Sequence, residues 1–192
     1  QVLGSQKSVP EATHPTSLDF LKIVPATRDL AGAEIELVGL IGRENILKEA
    51  LLEVDNLYDF ILIDCPPSLG LLTINALTAA HSYLIPLQCE YYAMEGLSKL
   101  IHTVKLIRQR LNPNLKQEGI LLTMFDKRNN LCHQVAHEVR SHFKKDVFES
   151  VIPRNVRLSE CPSHGKPIIL YDIGSAGAES YLQLAQEIIG RY

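Results

Sequence analysis

The run from Tyr58 to Ser68 constrains the fold of this 192-residue chain more than any other stretch. Its apolar centre, Phe60 to Ile63, is followed by Asp64 and a Pro-Pro turn. A short run rich in isoleucine and phenylalanine is typical of a strand buried on both faces, as in a parallel sheet. The sequence therefore predicts a strand over 59–64, with Asp64 at its carboxyl end, where open α/β sheets place their ligands.

Strand-like and helix-like patterns alternate along the rest of the chain. The predicted strands cover residues 18–24, 59–64, 82–87, 119–125 and 148–152, and the predicted helices cover 28–40, 44–54, 71–80, 93–111, 130–144 and 178–189. In the last helix, Leu182, Ala185 and Ile189 are predicted to face the core. This alternation predicts an α/β fold with a mainly parallel sheet flanked by helices. Residues 1–17 show no period and contain two prolines, so they are predicted to be loop-like or disordered.

The composition is that of an ordinary globular domain. Hydrophobic residues make up 46% of the chain, charged residues 21%, and the net charge is −3, so any contact with nucleic acid needs a local basic patch. No apolar run reaches the roughly 18 residues that span a bilayer, and Gln1 to Lys7 lacks a signal-peptide pattern. The four cysteines are scattered without a C-x-x-C pair, which favours reduced thiols in the cytosol.

Two candidate metal sites have competing interpretations. A carboxylate such as Asp64 suits a Mg²⁺-nucleotide site, because Mg²⁺ keeps several waters and takes one or two carboxylates plus phosphate oxygens. A strand that merely ends in Asp before a turn is the alternative.

His133 and His137 have the i, i+4 spacing of a zinc site, but Gln134 replaces the glutamate of H-E-x-x-H. With no third ligand evident, a solvated helix face is favoured there.

Several long motifs in the same order resemble the ParA/Soj-type partition ATPases, relatives of MinD. The matching segments are Val24–Glu34, Asp64–Leu77, Ile85–Leu97, Leu121–Asp126 and Val151–Pro167. The second of these is similar to the Walker B and switch II region, and the last is the strongest match. The resemblance covers roughly residues 18–190. It implies a P-loop NTPase-like, three-layer domain over 18–192 that is incomplete at its N-terminus.

The resemblance also implies an activity. Proteins of this family are ATPases that dimerise with ATP and Mg²⁺, bind DNA non-specifically, and segregate chromosomes or plasmids with a ParB-type partner. It implies a cytoplasmic, nucleoid-associated homodimer without a membrane role. Asp64 would accept a hydrogen bond from a Mg²⁺-bound water, and Pro66 to Gly70 would form the switch that senses the γ-phosphate. The residues implied around adenine are Met124, Asp126, Pro153, Arg154 and Asn155. For Met124 and Pro153, core packing and strand termination are the alternative roles.

The predicted DNA contact is the basic stretch formed by Arg154, Arg157 and Lys166, which looks like the only concentrated one in the chain. Phosphate contacts from such residues give sequence-independent, salt-sensitive binding, whereas a solvated charged loop is the alternative. The family usually has basic residues where Gly174 and Ala176 stand here, so DNA binding is expected to be weaker than in a typical relative. Other cations, including Arg110, Lys144 and Lys145, are interpreted as helix-end charges.

The family's glycine-rich loop with two lysines does not occur within these 192 residues. In the family that loop cradles the phosphates with N–H groups and neutralises them with lysine, and the switch I aspartate also lies upstream of the match. We therefore expect little or no ATP hydrolysis by this chain alone, and the chain is interpreted as part of a longer protein or a truncated product. Without the P-loop strand, Phe60 and Leu62 are expected to expose an unpaired apolar segment.

Three hypotheses remain from the sequence. The first is a partition ATPase of which this chain is the carboxyl-terminal three-quarters. The second is a truncated or degenerate, non-catalytic paralogue that acts only as an interaction or DNA-binding module. The third is a redox iron protein of the same superfamily, with an Fe–S cluster bridging subunits. Cys65 and Cys89 follow or end predicted strands, so core packing is favoured over cluster ligation for both.

Overall fold

The computed structural model describes residues 1–66 and 68–192, and contacts within the chain divide it into two compact units. The first unit comprises residues 1–82 and 102–116, and the second comprises 83–101 and 117–192. Pro67, part of the predicted switch segment, lies outside the described residues. In the described part of the chain, no helix combines the length and apolar character that a membrane crossing requires.

The first unit contains mostly helices and one small sheet. Its elements are α1 (Val9–Ala12), β1 (His14–Pro15), β2 (Lys22–Ile23), α2 (Leu30–Val38), α3 (Ile46–Leu51) and α4 (Leu71–Ala79). Strands β1 and β2 pair in antiparallel orientation, and α3 packs against α4. The predicted strand over 18–24 is thus reduced to two residues. The segment predicted to be loop-like contains a helical turn, which Ser8 and Glu11 start with a capping box.

Two buried asparagines hold α4 in place. Asn75 is fully buried; its amide donates to Arg43 O at 2.8 Å and accepts from Leu47 N–H at 3.1 Å. At the carboxyl end of α4, the amide nitrogen of Asn112 donates to Ala80 O at 2.8 Å. It also donates to the carbonyl groups of Leu77 and Thr78 in the last turn of the helix. Both side chains satisfy backbone groups that a helix end leaves without intrahelical partners.

The second unit contains the main sheet. The remaining elements in chain order are β3 (Ser82–Gln88), α5 (Ala93–Arg110), β4 (Lys116–Phe125), α6 (Asn130–Phe143), β5 (Val147–Pro153), α7 (Val156–Glu160), α8 (Ile168–Tyr171) and α9 (Ala176–Ile189). The strand order is β3-β4-β5, and β4 runs parallel to β5. The predicted strands at 82–87, 119–125 and 148–152 are therefore confirmed, with small changes at their ends.

Side chains alternate between two apolar layers along the sheet. Ile120 and Leu122 pack on one face with Leu97 of α5 and with α6, where Val139 is fully buried. On the other face, Leu121 and its neighbours on β5 pack against α9. Because successive residues of a strand point to opposite faces, one apolar run fills both layers. This parallel sheet flanked by helices confirms the predicted fold class.

Strand β5 contains a bulge that determines how it approaches its end. Ile120 pairs with Val147 and Leu122 with Val151, so β5 advances four positions while β4 advances two. Residues 148–150 therefore hold the extra length. A bulge leaves backbone groups outside the regular ladder, and these groups need other partners when they are buried.

The two helices that flank the sheet supply those partners. From α9, the Glu187 carboxylate accepts hydrogen bonds from the N–H groups of Glu149 and Ser150, each at 3.0 Å. From α6, the Arg140 guanidinium donates to Phe148 O at 3.1 Å and to Glu149 O at 3.3 Å. The bulge is thus held by an acid on one side and a base on the other.

The prediction of a strand over 59–64 is wrong, because the described residues there form no strand. Phe60 is 49% and Leu62 93% exposed, which confirms the expected exposure of this apolar segment. A strand persists only where its backbone groups find a neighbouring ladder, and no described strand pairs with this segment. Asp64 and Cys65 are exposed as well, so the packed position favoured for Cys65 is also wrong.

The prediction for the buried face of α9 is also wrong. Leu182, Ala185 and Ile189 are exposed, whereas Ala178 and Leu184 are buried. The helix packs against β5 through Leu184 and its neighbours. Apolar residues occur on more than one face of α9, so helical periodicity alone does not identify the face that meets the sheet.

Candidate functional site

The carboxyl ends of β4 and β5 lie side by side at one edge of the sheet. Phe125 pairs with Pro153, and the N–H of Arg154 donates to Phe125 O at 3.0 Å. This bond continues the pairing one residue past the end of β5. The structure therefore brings together the residues that the sequence predicts around adenine, which are Met124, Asp126, Pro153, Arg154 and Asn155.

Met124 has an unusual backbone conformation at this edge. Its φ is +52°, and the pairing of β4 with β5 shifts register between Leu122 and Phe125. A left-handed conformation is uncommon outside glycine and asparagine, and it costs free energy that the surrounding structure must supply. Bulges of this kind redirect side chains next to functional sites. The strain at Met124 is consistent with a site at the end of β4.

Arg128 holds Asp126 in place. The guanidinium donates to both carboxylate oxygens of Asp126, from Nε and Nη2, each at 3.0 Å, and the Arg128 N–H donates to Oδ1 at the same distance. The side-chain hydrogen bonds, followed by the backbone one, lower the pKa of Asp126 to about 2, with a smaller contribution from the charge of Arg154. The site therefore carries an ionised carboxylate at every physiological pH.

Asn155 begins α7 as its N-cap. Its side-chain oxygen accepts from Arg157 N–H at 2.9 Å and from Leu158 N–H at 3.4 Å. Asparagine is among the preferred residues at this position because its oxygen satisfies N–H groups that the first helical turn leaves unpaired. The amide NH₂ group of Asn155 remains the end that can donate outward. The cap fixes the direction of the chain directly after Arg154.

Arg157 is held by two carboxylates. Its guanidinium lies 3.0 Å from Glu160 and 3.3 Å from Asp172, and the Tyr171 hydroxyl donates to Glu160 at 3.2 Å. The hydrogen bond from Arg157 is the main cause that lowers the pKa of Glu160. A phosphate group would have to compete with these carboxylates for the Arg157 guanidinium. Sequence spacing gives no indication of the Asp172 contact, because the two residues are far apart along the chain.

The other predicted residues are exposed. Arg154 and Lys166 present their side chains to solvent, with Lys166 following Gly165, whose φ is +60°. In the first unit, Asp64 and Pro66 are exposed in the irregular segment before α4. Their roles beside a metal and a triphosphate remain predictions.

His133 and Cys89 make contacts within the second unit. His133 bonds through Nε2 with Lys127 O at 2.9 Å, and its ring meets Phe125 edge-on. Cys89 is buried, and burial together with the nearby Cys132 raises the pKa of its thiol to about 11. Across the described residues, no group of three or more His, Cys, Asp or Glu side chains is arranged to hold a metal.

Sequence reasoning missed two features. One is the contact of Arg128 with Asp126. The position of an arginine two residues after this aspartate was the signal that could have indicated it. The other is a set of exposed cations on α5 and the turn after it, of which only Arg110 was considered, as a helix-end charge. The signal for this set was the complete absence of Asp and Glu from residues 102–116. The loop from 154 to 166 is therefore not the only concentrated basic stretch.

A parallel three-stranded sheet between helical layers, with polar side chains at its carboxyl edge, defines a P-loop NTPase-like α/β protein. A family model described as an AAA domain matches residues 1–117. The chromosome partitioning protein ParA of Myxococcus xanthus is 63% identical over 191 residues, covering 100% of this chain and 68% of that protein. The sporulation initiation inhibitor protein Soj of Bacillus subtilis is 59% identical over 187 residues, covering 97% and 74% respectively. The chain therefore belongs to the ParA/Soj family of partition proteins.

A solved structure shares this fold. Cobyrinic acid a,c-diamide synthase from Mycobacterium smegmatis, with bound ADP and magnesium, superimposes with a TM-score of 0.82 at 36% sequence identity. The match covers 98% of this chain and 69% of the synthase chain.

Proposed function

We propose that this chain acts as a ParA-type partition ATPase module, which binds ATP with Mg²⁺, dimerises, and binds DNA non-specifically. Its partner would be a ParB-type protein, its cargo a chromosome or plasmid, and its location the cytoplasm at the nucleoid. The observation that carries this proposal is the 63% identity to a chromosome partitioning ParA over the full length of the chain.

The adenine would bind at the carboxyl edge of β4 and β5. Pro153 and the redirected Met124 would supply apolar contact to the base, and the amide NH₂ of Asn155 would donate to it. Asp126, kept ionised by Arg128, can accept hydrogen bonds but cannot donate them. Arg154 would lie at the exposed side of the same loop.

Asp64 is the proposed magnesium-side residue. A carboxylate oxygen matches the hard-oxygen preference of Mg²⁺, which keeps most of its waters and needs few protein ligands. The metal would neutralise phosphate charge, and Asp64 would orient it through a bound water. Pro66 would belong to the adjoining switch. The synthase that resembles this chain has ADP and magnesium bound, which supports the choice of ligand.

Nucleotide binding by the chain tests the base site. We expect a fluorescent ATP analogue to bind in the presence of Mg²⁺, and Asn155→Ala to weaken binding by about tenfold, as expected for the loss of a buried hydrogen bond. Glu149→Gln is the matched control, since its carboxylate is 91% exposed and lies outside the proposed site. Equal affinity of the two variants would contradict the proposed base site.

A non-catalytic DNA-binding or interaction module is the second candidate. It is favoured by one observation, the absence of a glycine-rich two-lysine loop within the 192 residues. We therefore expect this chain alone to show weak or no hydrolysis in a single-turnover ATP assay. Hydrolysis at the rate of a full-length relative would contradict this expectation and leave the ATPase as the better description.

DNA binding is proposed for Arg154, Arg157 and Lys166. Arg157 would exchange Glu160 and Asp172 for phosphate oxygens, so its contribution would be smaller than that of an unpaired arginine. Gly174 and Ala176 add no charge to this region. These contacts would give binding that weakens steeply as salt is raised.

A further inference from the structure

The second half of α5 and the turn after it present a cluster of positive charge. We call it the α5 basic surface, and it consists of Lys105, Arg108, Arg110 and Lys116. All four side chains belong to exposed residues, and the stretch 102–116 contains no Asp or Glu. Four positive charges without a negative one are a strong local excess in a chain whose net charge is −3.

These cations are not neutralised within the described part of the chain, where none of the four makes an ion pair. The predicted DNA-contacting segment differs at one residue. Its Arg157 is bound by Glu160 and Asp172, whereas Arg154 and Lys166 make no ion pair among the described residues. An exposed ion that lacks an internal partner keeps its full attraction for an external phosphate.

The shape and composition of the surface favour duplex DNA over single-stranded nucleic acid and over a membrane. Residues 102–116 contain no Phe, Tyr or Trp, so the surface lacks the large aromatic side chains on which unpaired bases stack. The opposite face of α5 is buried through Val104 and Ile107, and Leu106, at 42% exposure, is too little apolar surface to form a face that inserts into a membrane. What remains is a convex, cationic helix face.

Duplex DNA matches the spacing of these charges. Lys105 and Arg108 are neighbours on the helix surface because they are three residues apart. From Lys105 to Arg108 the helix rises about 4.5 Å, and a duplex presents about two to three phosphate charges over that length. These two side chains can therefore contact one stretch of backbone without any reading of base sequence, and Arg110 and Lys116 add to the attraction for phosphate.

We propose that the α5 basic surface binds the phosphate backbone of duplex DNA, in addition to the loop that contains Arg154, Arg157 and Lys166. This inference rests on the proposed DNA-binding function and adds residues that the sequence comparison did not suggest. It predicts that most of the salt dependence of DNA binding comes from α5.

The test compares variants of the 192-residue chain that lose equal charge. Binding to a labelled duplex of random sequence is followed by fluorescence anisotropy over a series of salt concentrations. The variants are K105Q/R108Q, the control K144Q/K145Q beside Asp146, and R154Q/R157Q. Thermal unfolding of each variant verifies that these exposed substitutions leave the fold intact.

We expect K105Q/R108Q to lose about tenfold in affinity at low salt and to flatten the salt slope by about two units. The control should change both quantities much less. Wild-type affinity in K105Q/R108Q, together with a loss in R154Q/R157Q, would overturn the α5 proposal and leave the proposed function standing.

Two further outcomes count against the inference. If wild-type chain shows no binding to the duplex at low salt, both the inference and the proposed DNA-binding function are wrong. If polyglutamate binds more tightly than the duplex and K105Q/R108Q abolishes that binding, the surface serves an acidic polypeptide and the DNA assignment is overturned.

Discussion

Asp126 and Arg128 form a pair whose ionisation can be tested directly. Because the hydrogen bonds from Arg128 lower the pKa of Asp126 to about 2, the pair stabilises the folded state above the ordinary carboxyl pKa. That contribution is lost as the pH falls from the ordinary value through about 2. We expect Arg128→Gln to raise the pKa of Asp126 toward its ordinary value, measured by NMR titration of the side-chain carboxyl carbon.

Arg157→Gln is the control for this titration. It removes an arginine that bonds Glu160 and Asp172 rather than Asp126. An unchanged titration of Asp126 in Arg128→Gln, or an equal change in both variants, would show that the hydrogen bonds from Arg128 do not set the pKa of Asp126.

Gly119 is expected to tolerate no side chain. A Cβ at this position would lie 2.6 Å from Cε2 of Phe148, whose ring is fully buried and cannot move aside. We expect Gly119→Ala to lower the free energy of unfolding by about 1–3 kcal/mol, as overpacked cores do. Gly96→Ala is the matched substitution, because nothing lies within 4 Å of a Cβ there. It should be neutral or stabilising by up to about 1 kcal/mol, since α5 gains helix propensity. Urea denaturation of both variants provides the comparison.

The link between α9 and the β5 bulge depends on Glu187. Burial raises the pKa of its carboxyl, but the hydrogen bonds from the N–H groups of Ser150 and Glu149 outweigh that effect, and the net pKa is lowered. We expect Glu187→Gln to reduce the free energy of unfolding by about 1–2 kcal/mol near neutral pH, because the charge-assisted hydrogen bonds are lost. Urea denaturation gives this difference.

The pH dependence of the Glu187 effect provides a second criterion. A lowered pKa means that the contribution is present above the ordinary carboxyl value and disappears as the pH falls below it. The wild-type protein and Glu187→Gln should therefore converge in acid. Glu149→Gln, whose carboxylate is almost fully exposed, should differ from wild type by less than about 0.5 kcal/mol at any pH. A constant difference for Glu187→Gln would point to packing rather than charge.

Regular elements were predictable from sequence where local pattern and turn signals agree. The helix α5 and the strand β4 are examples, because their apolar periods end at Asn112-Pro113 and Asp126. The β5 bulge was not predictable, since it exists only in the register between two strands. Helix α7 was missed because it is only five residues long and depends on the Asn155 cap.

The candidate site was predictable only in part, for a related reason. Order along the chain and the parallel sheet are enough to bring Asp126 near Pro153. The ion pairs of Arg157 join residues with no periodic relation, so no local pattern indicates them. The segment around Asp64 carries every local sign of a strand, but none of the described strands pairs with it.

Apolar burial is unequal between the two units of the chain. Well-packed clusters lie on both faces of the sheet in the second unit. In the first unit, Phe20, Ile35, Ile41 and Leu62 are mostly or fully exposed. Regions with few buried apolar contacts and few backbone hydrogen bonds open more easily than core strands.

Native-state hydrogen exchange should reveal this difference. We expect the amides of Leu121 and Leu122 in β4 to exchange slowest, and those of residues 61–63 to exchange rapidly. Mass spectrometry of peptides from the exchanged chain would resolve the two regions. Comparable protection of both regions would contradict this expectation.

The bulge in β5 limits how the chain can change in length. The extra length at residues 148–150 is followed by a second register shift, between Leu122 and Phe125, which leaves Pro153 opposite Phe125 and lets the Arg154 N–H donate to Phe125 O. Loss of one residue from 148–150 would rotate every later side chain of the strand to the other face, and the loop beyond it would leave the sheet in a different direction. Point substitutions there alter stability, whereas a single-codon deletion would relocate the loop itself.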